Sequence, residues 1–356
     1  MLLRSRAVPA QLALRVLAHR LLSTSTSSGS LQWNLPPTVG RRLRTHGYAV
    51  VDDALPSQDL LTFRDELVNA AIDNTALLTA NSTILVKKDG SSTLIPKHGI
   101  GEFDLSNAAV AHKLPQLARF SDSGDLIRVL QPLLFPDNER RLARQTVKAQ
   151  INFGRGACFP LHFDTDASID HRAVTAIMYL NEDYQSPDGG SIRVYPFPGA
   201  VVDIEPRLGR LVLFSSAWCL HRVLPSTANS RLCFTTWITT DEPSPYPKDP
   251  PSEPTDPDGD EAWEYLMYPT HRNHILKLVY ADEWARSIVE SHPAGHLHDL
   301  LLEQHFRDAE IIARAYGRYL PLLDRYLASG SLAPRVYGSE PRDEADVDPE
   351  RKVAWF

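Results

Sequence analysis

The chain has 356 residues, of which 43% are hydrophobic and 23% charged, and its formal net charge is −7. These are ordinary values for a globular protein with one large domain or two smaller ones. The negative charge leaves no broad basic surface, which disfavours nucleic acid as the main partner, and no apolar run is long enough to predict a membrane span.

The first 35 residues differ in composition from the rest of the chain. They are rich in Arg and Ser, and no Asp or Glu precedes Asp52. This composition is typical of an organelle transit peptide, whereas the arginines interrupt the apolar core that a secretory signal needs. We therefore predict a transit peptide over residues 1–35 and a mitochondrial location. A plastid, or a cytoplasmic protein with a disordered N-terminus, is the alternative.

Residues 36–144 combine short strand patterns with amphipathic helical patterns. Ser57 follows a proline and is suited to start a helix, while Gly90 ends a turn between two strand-like runs. We interpret this region as a support for the domain that follows. Its predicted elements are a strand at 47–52, a helix at 57–72, a hairpin with its turn at 87–90, and helices at 107–120 and 122–134.

Residues 145–240 form a succession of short apolar runs separated by Gly, Pro and Asp turns. Regular turn signals of this kind indicate a sandwich, a jelly roll or a barrel. The fold class predicted is mainly β with flanking helices, with a jelly-roll (double-stranded β-helix, cupin-like) core. The eight predicted strands are 147–153, 159–163, 174–180, 191–195, 201–204, 210–214, 220–224 and 231–239.

After the strands the composition changes again. Residues 241–260 are Pro-rich and acidic, which predicts a linker, and residues 261–335 have a helical pattern that predicts a C-terminal extension. Residues 336–356 form a charged tail. The three cysteines are an odd number and form no CxxC pair, so a disulfide framework is disfavoured.

Three residues of the strand region could bind one metal ion. His162 and Asp164 stand two positions apart in the run FPLHFDTD, so on a strand their side chains project from the same face. His221 lies on a later strand that can return beside them. Two imidazoles and one carboxylate leave several metal positions open, which suits non-haem Fe(II), whereas a structural zinc site would need four ligands.

Arg231 lies ten residues after His221, in the strand-like run RLCFTTW. A guanidinium group offers a planar fork for a carboxylate. Together the four residues suggest a ligand that chelates the metal at one end and is bound by Arg231 at the other, such as a keto-diacid.

This pattern resembles the Fe(II)/2-oxoglutarate dioxygenases, and within them the prolyl 4-hydroxylase-like branch. The resemblance covers residues 145–240 and includes more than the four site residues. Its further segments, in order, are AIMYLN at 176–181, GGSIRV at 189–194, VDIEP at 202–206, RLVLFS at 210–215 and HRV at 221–223.

The resemblance implies that Fe(II), 2-oxoglutarate and O2 are used, with ascorbate as reductant. His162, Asp164 and His221 would bind iron, and Arg231 would bind the distal carboxylate of 2-oxoglutarate.

Further positions follow from the same resemblance. Tyr179 and Thr235 fall where family members donate further hydrogen bonds to the co-substrate. Trp237 falls where an aromatic side chain packs near the iron or the substrate. Asn152 stands where the family often has a tyrosine, and its amide could replace that tyrosine's hydrogen bond.

The resemblance also implies a reaction, in which a C–H bond is hydroxylated while 2-oxoglutarate is decarboxylated to succinate. The leading substrate is a protein residue, with proline favoured by analogy. A small molecule or free amino acid is the first alternative. A catalytically silent binding module is a further one. The nucleic-acid demethylase branch is disfavoured, because Trp237 stands where that branch usually has a second arginine.

Overall fold

The computed structural model describes residues 30–86, 90–228, 230–246, 250–328, 332–338 and 353–356. Most of the predicted transit peptide, the hairpin turn at 87–89 and most of the predicted charged tail lie outside these residues. Within the described ranges, none of the helices has the length and apolar character needed to cross a bilayer.

The N-terminal region forms the predicted support, with two differences. The helix Thr38–His46 is not among the predicted elements. The helix predicted at 107–120 is two helices, because Leu114 precedes Pro115 and leaves the helical conformation (φ −126°, ψ 59°), after which Pro115 starts the next helix. The elements are α1 (Thr38–His46), β1 (Tyr48–Val51), α2 (Ser57–Asp73), β2 (Thr79–Val86), β3 (Ser92–Asp104), α3 (Ala108–Lys113), α4 (Pro115–Ser123) and α5 (Asp125–Leu134).

All eight predicted strands of the central region are present, and they form a jelly-roll core. The strands are β4 (Leu142–Asn152), β5 (Ala157–His162), β6 (Arg172–Tyr179), β7 (Ile192–Tyr195), β8 (Val202–Ile204), β9 (Leu211–Ser215), β10 (Leu220–Ser226), β11 (Arg231–Thr240) and the C-terminal β12 (Arg335–Val336). A seven-stranded sheet has the order β1-β9-β6-β11-β4-β3-β2, and a five-stranded sheet has the order β12-β8-β7-β10-β5.

The two faces of the seven-stranded sheet have different chemistry, because side chains alternate along each strand. On one face Phe234 packs against Phe63 of α2 and Phe120 of α4, with ring centroids 5.5 and 5.3 Å apart. The opposite face of the same strands carries polar residues such as Arg231 and Tyr179, which are also buried. The helices therefore support a sheet whose polar face points into the jelly roll.

The C-terminal extension is helical, as predicted, and packs on the five-stranded sheet. Glu283 accepts hydrogen bonds from Arg193 and Tyr195 of β7, and Arg222 of β10 forms an ion pair with Glu290. The helices are α6 (Asp260–Met267), α7 (Pro269–Val279), α8 (Ala281–Ser291), α9 (His296–Ala315) and α10 (Leu320–Ala328).

One hydrogen bond connects this helical layer to the strand that carries His162. The Ser287 hydroxyl of α8 accepts the backbone N–H of Leu161 at 2.9 Å, and both residues are buried. Since β5 is the edge strand of its sheet, Ser287 supplies an acceptor for an N–H group that would otherwise be unpaired.

We expect Ser287→Ala to lower the free energy of unfolding by about 1–3 kcal/mol, because it leaves the buried Leu161 N–H without an acceptor. Urea denaturation followed by circular dichroism measures the change. Ser252→Ala, at an exposed position, is the matched control. Equal stability of the two variants would show that this contact contributes nothing.

Candidate active site

The structure brings His162, Asp164 and His221 together at the end of the jelly roll. His162 ends β5, His221 lies near the start of β10, and the two residues face each other in the antiparallel pairing of these strands. Asp164 Oδ1 lies 3.5 Å from His162 Nε2 and 3.6 Å from His221 Nε2. One potential ligand atom from each residue lies within 4.8 Å of the others.

The two imidazoles are oriented by the same device. The Nδ1 atom of His162 lies 2.8 Å from the carbonyl oxygen of Pro160, and Nδ1 of His221 lies 3.1 Å from that of Cys219. A carbonyl only accepts hydrogen bonds, so each Nδ1 carries the proton. Each Nε2 then has a lone pair for a metal, and the hydrogen bond from Nδ1 sets the orientation of each ring.

Two side chains donate hydrogen bonds to the same carboxylate oxygen of Asp164, which is Oδ2. Thr175 donates to Oδ2 at 2.5 Å and the indole of Trp237 donates to the same atom at 3.0 Å. The Thr175 hydroxyl also lies 2.9 Å from the Ser216 hydroxyl. Oδ1 is therefore the atom that faces both histidines, which prepares Asp164 for one-oxygen coordination.

The protonation states of the site also favour a cation. Burial by itself raises the pKa of Asp164, but its interactions with His221 and then with His162 lower that pKa well below its usual range. Burial, and then the proximity of His221, lower the pKa of His162. An ionised carboxylate beside neutral imidazoles is the form in which these ligands bind metals.

The donor set fits the ion that the sequence suggests. Two nitrogen atoms and one oxygen atom on one side match the two-histidine, one-carboxylate arrangement of non-haem Fe(II), with positions left open for other ligands. No cysteine is among the three ligands, and the three cysteines of the chain are all free and buried.

Arg231 is buried, and within the part of the chain that the structure describes it has no anionic partner. Its guanidinium donates to the Gly190 carbonyl at 2.7 Å, the Cys233 sulfur at 3.7 Å and the Tyr179 hydroxyl at 3.2 Å, and all three are neutral groups. Only 3% of the residue is exposed. A buried cation without a counter-charge is unfavourable, so this group is suited to receive a carboxylate.

The glycine before Ser191 makes room for that guanidinium. Gly190 has a φ of 72°, and a Cβ atom there would lie 2.9 Å from Arg231 Cδ and 3.1 Å from the Ser226 side chain. Only glycine combines this backbone conformation with such close contacts. The GG pair of the sequence thus serves the packing of Arg231.

Tyr179 stands across from Cys233 in the pairing of β6 and β11, and its ring centroid lies 4.9 Å from the Arg231 guanidinium. Burial raises the pKa of Tyr179, so the phenol stays neutral. Since Arg231 donates to the hydroxyl oxygen of Tyr179, the phenol proton of Tyr179 remains available to a ligand. Thr235 lies on the same face of β11 between Arg231 and Trp237 and is buried.

Asn152 has a different environment from the one predicted. Its side-chain nitrogen donates to the Ala157 carbonyl at 2.8 Å, and its side-chain oxygen accepts the Gly154 N–H at 2.9 Å. Both ends of the amide therefore hold the turn between β4 and β5. The structure gives Asn152 a turn-forming role rather than a contact aimed at a co-substrate.

Sequence reasoning missed the groups that support the ligands. Thr175 donates to Asp164 and its hydroxyl contacts the hydroxyl of Ser216. The backbone carbonyl of Ser216 also accepts the Asp164 backbone N–H at 3.0 Å. Thr175 shares a strand face with Tyr179, and that period-two relation is the signal that could have identified it. Ser216 follows a strand end and carries no such signal.

Comparisons with known proteins agree with this geometry. Residues 148–239 match the family model described as the 2OG-Fe(II) oxygenase superfamily. The chain is 30% identical over 198 residues to Egl nine homolog 1 of Rattus norvegicus, covering 55% of this chain and 56% of that protein. It is 29% identical over 198 residues to the Homo sapiens protein of the same name, covering 44% of that protein. The chain thus spans about half the length of these relatives.

A solved structure resembles a larger part of the chain. A prolyl 4-hydroxylase from Phytophthora capsici has 27% sequence identity and a TM-score of 0.65, with 82% of this chain and 92% of that chain covered. The likeness therefore extends well beyond the residues matched by the family model.

We expect Thr175→Val to weaken metal binding by about 10–100-fold, because Asp164 Oδ2 loses a donor and its carboxylate can rotate. Calorimetric titration with Mn(II) gives the affinity without turnover. Thr93→Val is a matched control elsewhere in the seven-stranded sheet. An unchanged affinity in Thr175→Val would show that the hydroxyl does not orient the carboxylate.

Proposed function

We propose that this chain is a 2OG-Fe(II) oxygenase of the prolyl 4-hydroxylase-like kind, which hydroxylates a prolyl residue of a protein substrate. The observation that carries the proposal is the pairing of two features in one interior: the His162–Asp164–His221 cluster and the buried, uncompensated Arg231.

The preference for proline is supported by the comparisons. The structural likeness to the Phytophthora capsici prolyl 4-hydroxylase covers most of both chains. A small molecule or free amino acid remains the competing substrate class, and a mass-shift screen with both kinds of substrate decides between them.

In this proposal His162, Asp164 and His221 hold Fe(II), and the bound iron together with 2-oxoglutarate and O2 supplies the oxidising chemistry. The products are the hydroxylated substrate, succinate and CO2, with ascorbate as the reductant that keeps the iron ferrous. The protein contributes binding and orientation, which is the usual division of work in such enzymes.

The chain's own residues orient the co-substrate. Arg231 binds the distal carboxylate through its guanidinium and Tyr179 donates its phenol proton to the same group, while Thr235 lies between Arg231 and Trp237 on the same strand. Burial of these groups strengthens each contact, because the surrounding medium has a low dielectric constant. Trp237 and Thr175 keep Asp164 turned towards the metal.

We also propose that the protein is located in mitochondria. The support for this location is the Arg-rich and Ser-rich composition of residues 1–35, which favours mitochondrial import. A fusion of residues 1–35 to a fluorescent protein should accumulate in mitochondria. A diffuse cytosolic signal from that fusion would contradict the mitochondrial location, and it would leave the proposed enzymatic activity unaffected.

The activity is tested by succinate formation. We expect the Fe(II)-loaded full chain to convert 2-oxoglutarate to succinate and to add 16 mass units to a proline-containing substrate, and we expect His162→Ala to abolish both. The assay uses mass spectrometry of a lysate-derived peptide mixture. A wild-type protein that binds Fe(II) but forms no succinate would falsify the proposed activity.

Arg231→Gln should raise the KM for 2-oxoglutarate by at least about tenfold, because the buried fork for the distal carboxylate is lost. Metal affinity should stay close to that of the wild type, since Arg231 does not contact the three metal ligands in the structure. Arg314→Gln, at an exposed helix position, is the control. A normal KM in Arg231→Gln would remove Arg231 from the co-substrate site.

A further inference from the structure

Lys97 on β3 is a second cation, besides Arg231, that lies near the three candidate metal ligands. The ammonium group of Lys97 lies 5.1 Å from the centre of the Phe159 ring, and that ring stacks on His162 with centroids 6.2 Å apart. Phe159 belongs to a small apolar cluster with Ile100, Ala157 and Val223, where β3 closes against β5. Lys97 thus stands next to the first metal ligand, at the junction of the two sheets.

The position of the ammonium group is set by a network of hydrogen bonds. Lys97 donates to the side-chain oxygen of Asn81 at 2.5 Å, and the amide nitrogen of Asn81 donates to Glu102 at 2.6 Å. Glu102 also accepts a hydrogen bond from Lys148 at 2.9 Å. Because both ends of the Asn81 amide are engaged, its oxygen stays turned towards Lys97.

The Lys97 ammonium is poorly compensated within this network. It has three protons to donate, and among the described residues Asn81 is the one hydrogen-bond acceptor it reaches. The carboxylate of Glu102 is already shared by Asn81 and Lys148. A cation in this setting gains from a carboxylate that arrives with a ligand.

The electrostatics of the group agree with this picture. Burial lowers the pKa of Lys97 to about 8, although the carboxylates of Glu102 and Asp164 raise it. The group therefore remains mostly protonated at neutral pH. The influence of Asp164 also shows that Lys97 shares the electrostatic environment of the metal cluster.

We propose that Lys97 is a specificity-determining residue, which binds a carboxylate of the substrate beside the carbon that is hydroxylated. This inference rests on the proposed function. In the proposed function, one end of 2-oxoglutarate binds the metal and the other end binds Arg231. The carboxylate that binds Lys97 therefore comes from the substrate. The carboxylate is carried by an Asp or Glu of a peptide, or by a free amino acid.

The test measures binding to the full chain loaded with Mn(II), so that nothing turns over. The probes are nine-residue peptides with a central proline and a single Glu or Gln at one flanking position, moved stepwise along the peptide. A second arm compares free L-proline with L-prolinamide. Wild type, Lys97→Met, Lys97→Arg and Lys97→Glu are titrated, with Lys113→Met as a control at an exposed lysine.

We expect the wild type to bind the Glu peptide at least about tenfold better than the Gln peptide for one flanking position. Lys97→Met should bring that ratio close to one, Lys97→Arg should keep a preference for Glu, and Lys97→Glu should reverse it. Lys113→Met should behave as the wild type. A preference confined to proline over prolinamide supports the role of Lys97 and identifies a free amino acid as the source of the carboxylate.

Two results overturn the inference: a wild type without preference for the acidic probe in either arm, or a preference that Lys97→Met retains. Succinate formation by the Fe(II)-loaded wild type separates this failure from that of the proposed function. Succinate without acid preference removes only the role of Lys97, whereas no succinate removes the oxygenase activity itself.

Discussion

The antiparallel pairing of β5 with β10 is the constraint on which the candidate site depends. It sets His221 opposite His162, so two residues far apart in the chain present their imidazoles to the same point. Each ring is then oriented by a carbonyl two residues earlier on its own strand, at Pro160 and at Cys219. A shift of one residue in this pairing would turn one histidine to the opposite face of the sheet.

The rest of the molecule keeps that pairing in place from both sides. On the outside of the seven-stranded sheet, Phe63 and Phe120 pack against Phe234. On the five-stranded sheet, α8 approaches β5, where Ser287 accepts the N–H of Leu161 next to His162. The jelly roll is thus enclosed between two helical layers, and Arg231, Tyr179 and Thr235 on its polar face are buried. Burial strengthens the electrostatic interactions of these groups.

Two cations lie in separate parts of the interior: Arg231 is buried, and Lys97 is half-buried. Arg231 lies among the neutral groups Gly190, Cys233 and Tyr179, while Lys97 lies over Phe159 beside the metal cluster. Both are left undercompensated by the protein itself, which is costly unless ligands supply the missing negative charge. The interior is therefore prepared for anionic ligands, although the net charge of the whole chain is −7.

The sequence by itself determined the parts of this protein that depend on local periodicity. Side chains two apart on a strand share a face, so the proximity of His162 and Asp164 could be predicted, as could the eight strands from their turn signals. Tertiary structure decided the rest. The support that Ser216 gives to Thr175 and Asp164 and the approach of Lys97 to Phe159 both arise between segments distant in the chain. Such contacts depend on strand register and sheet closure, which no local pattern encodes.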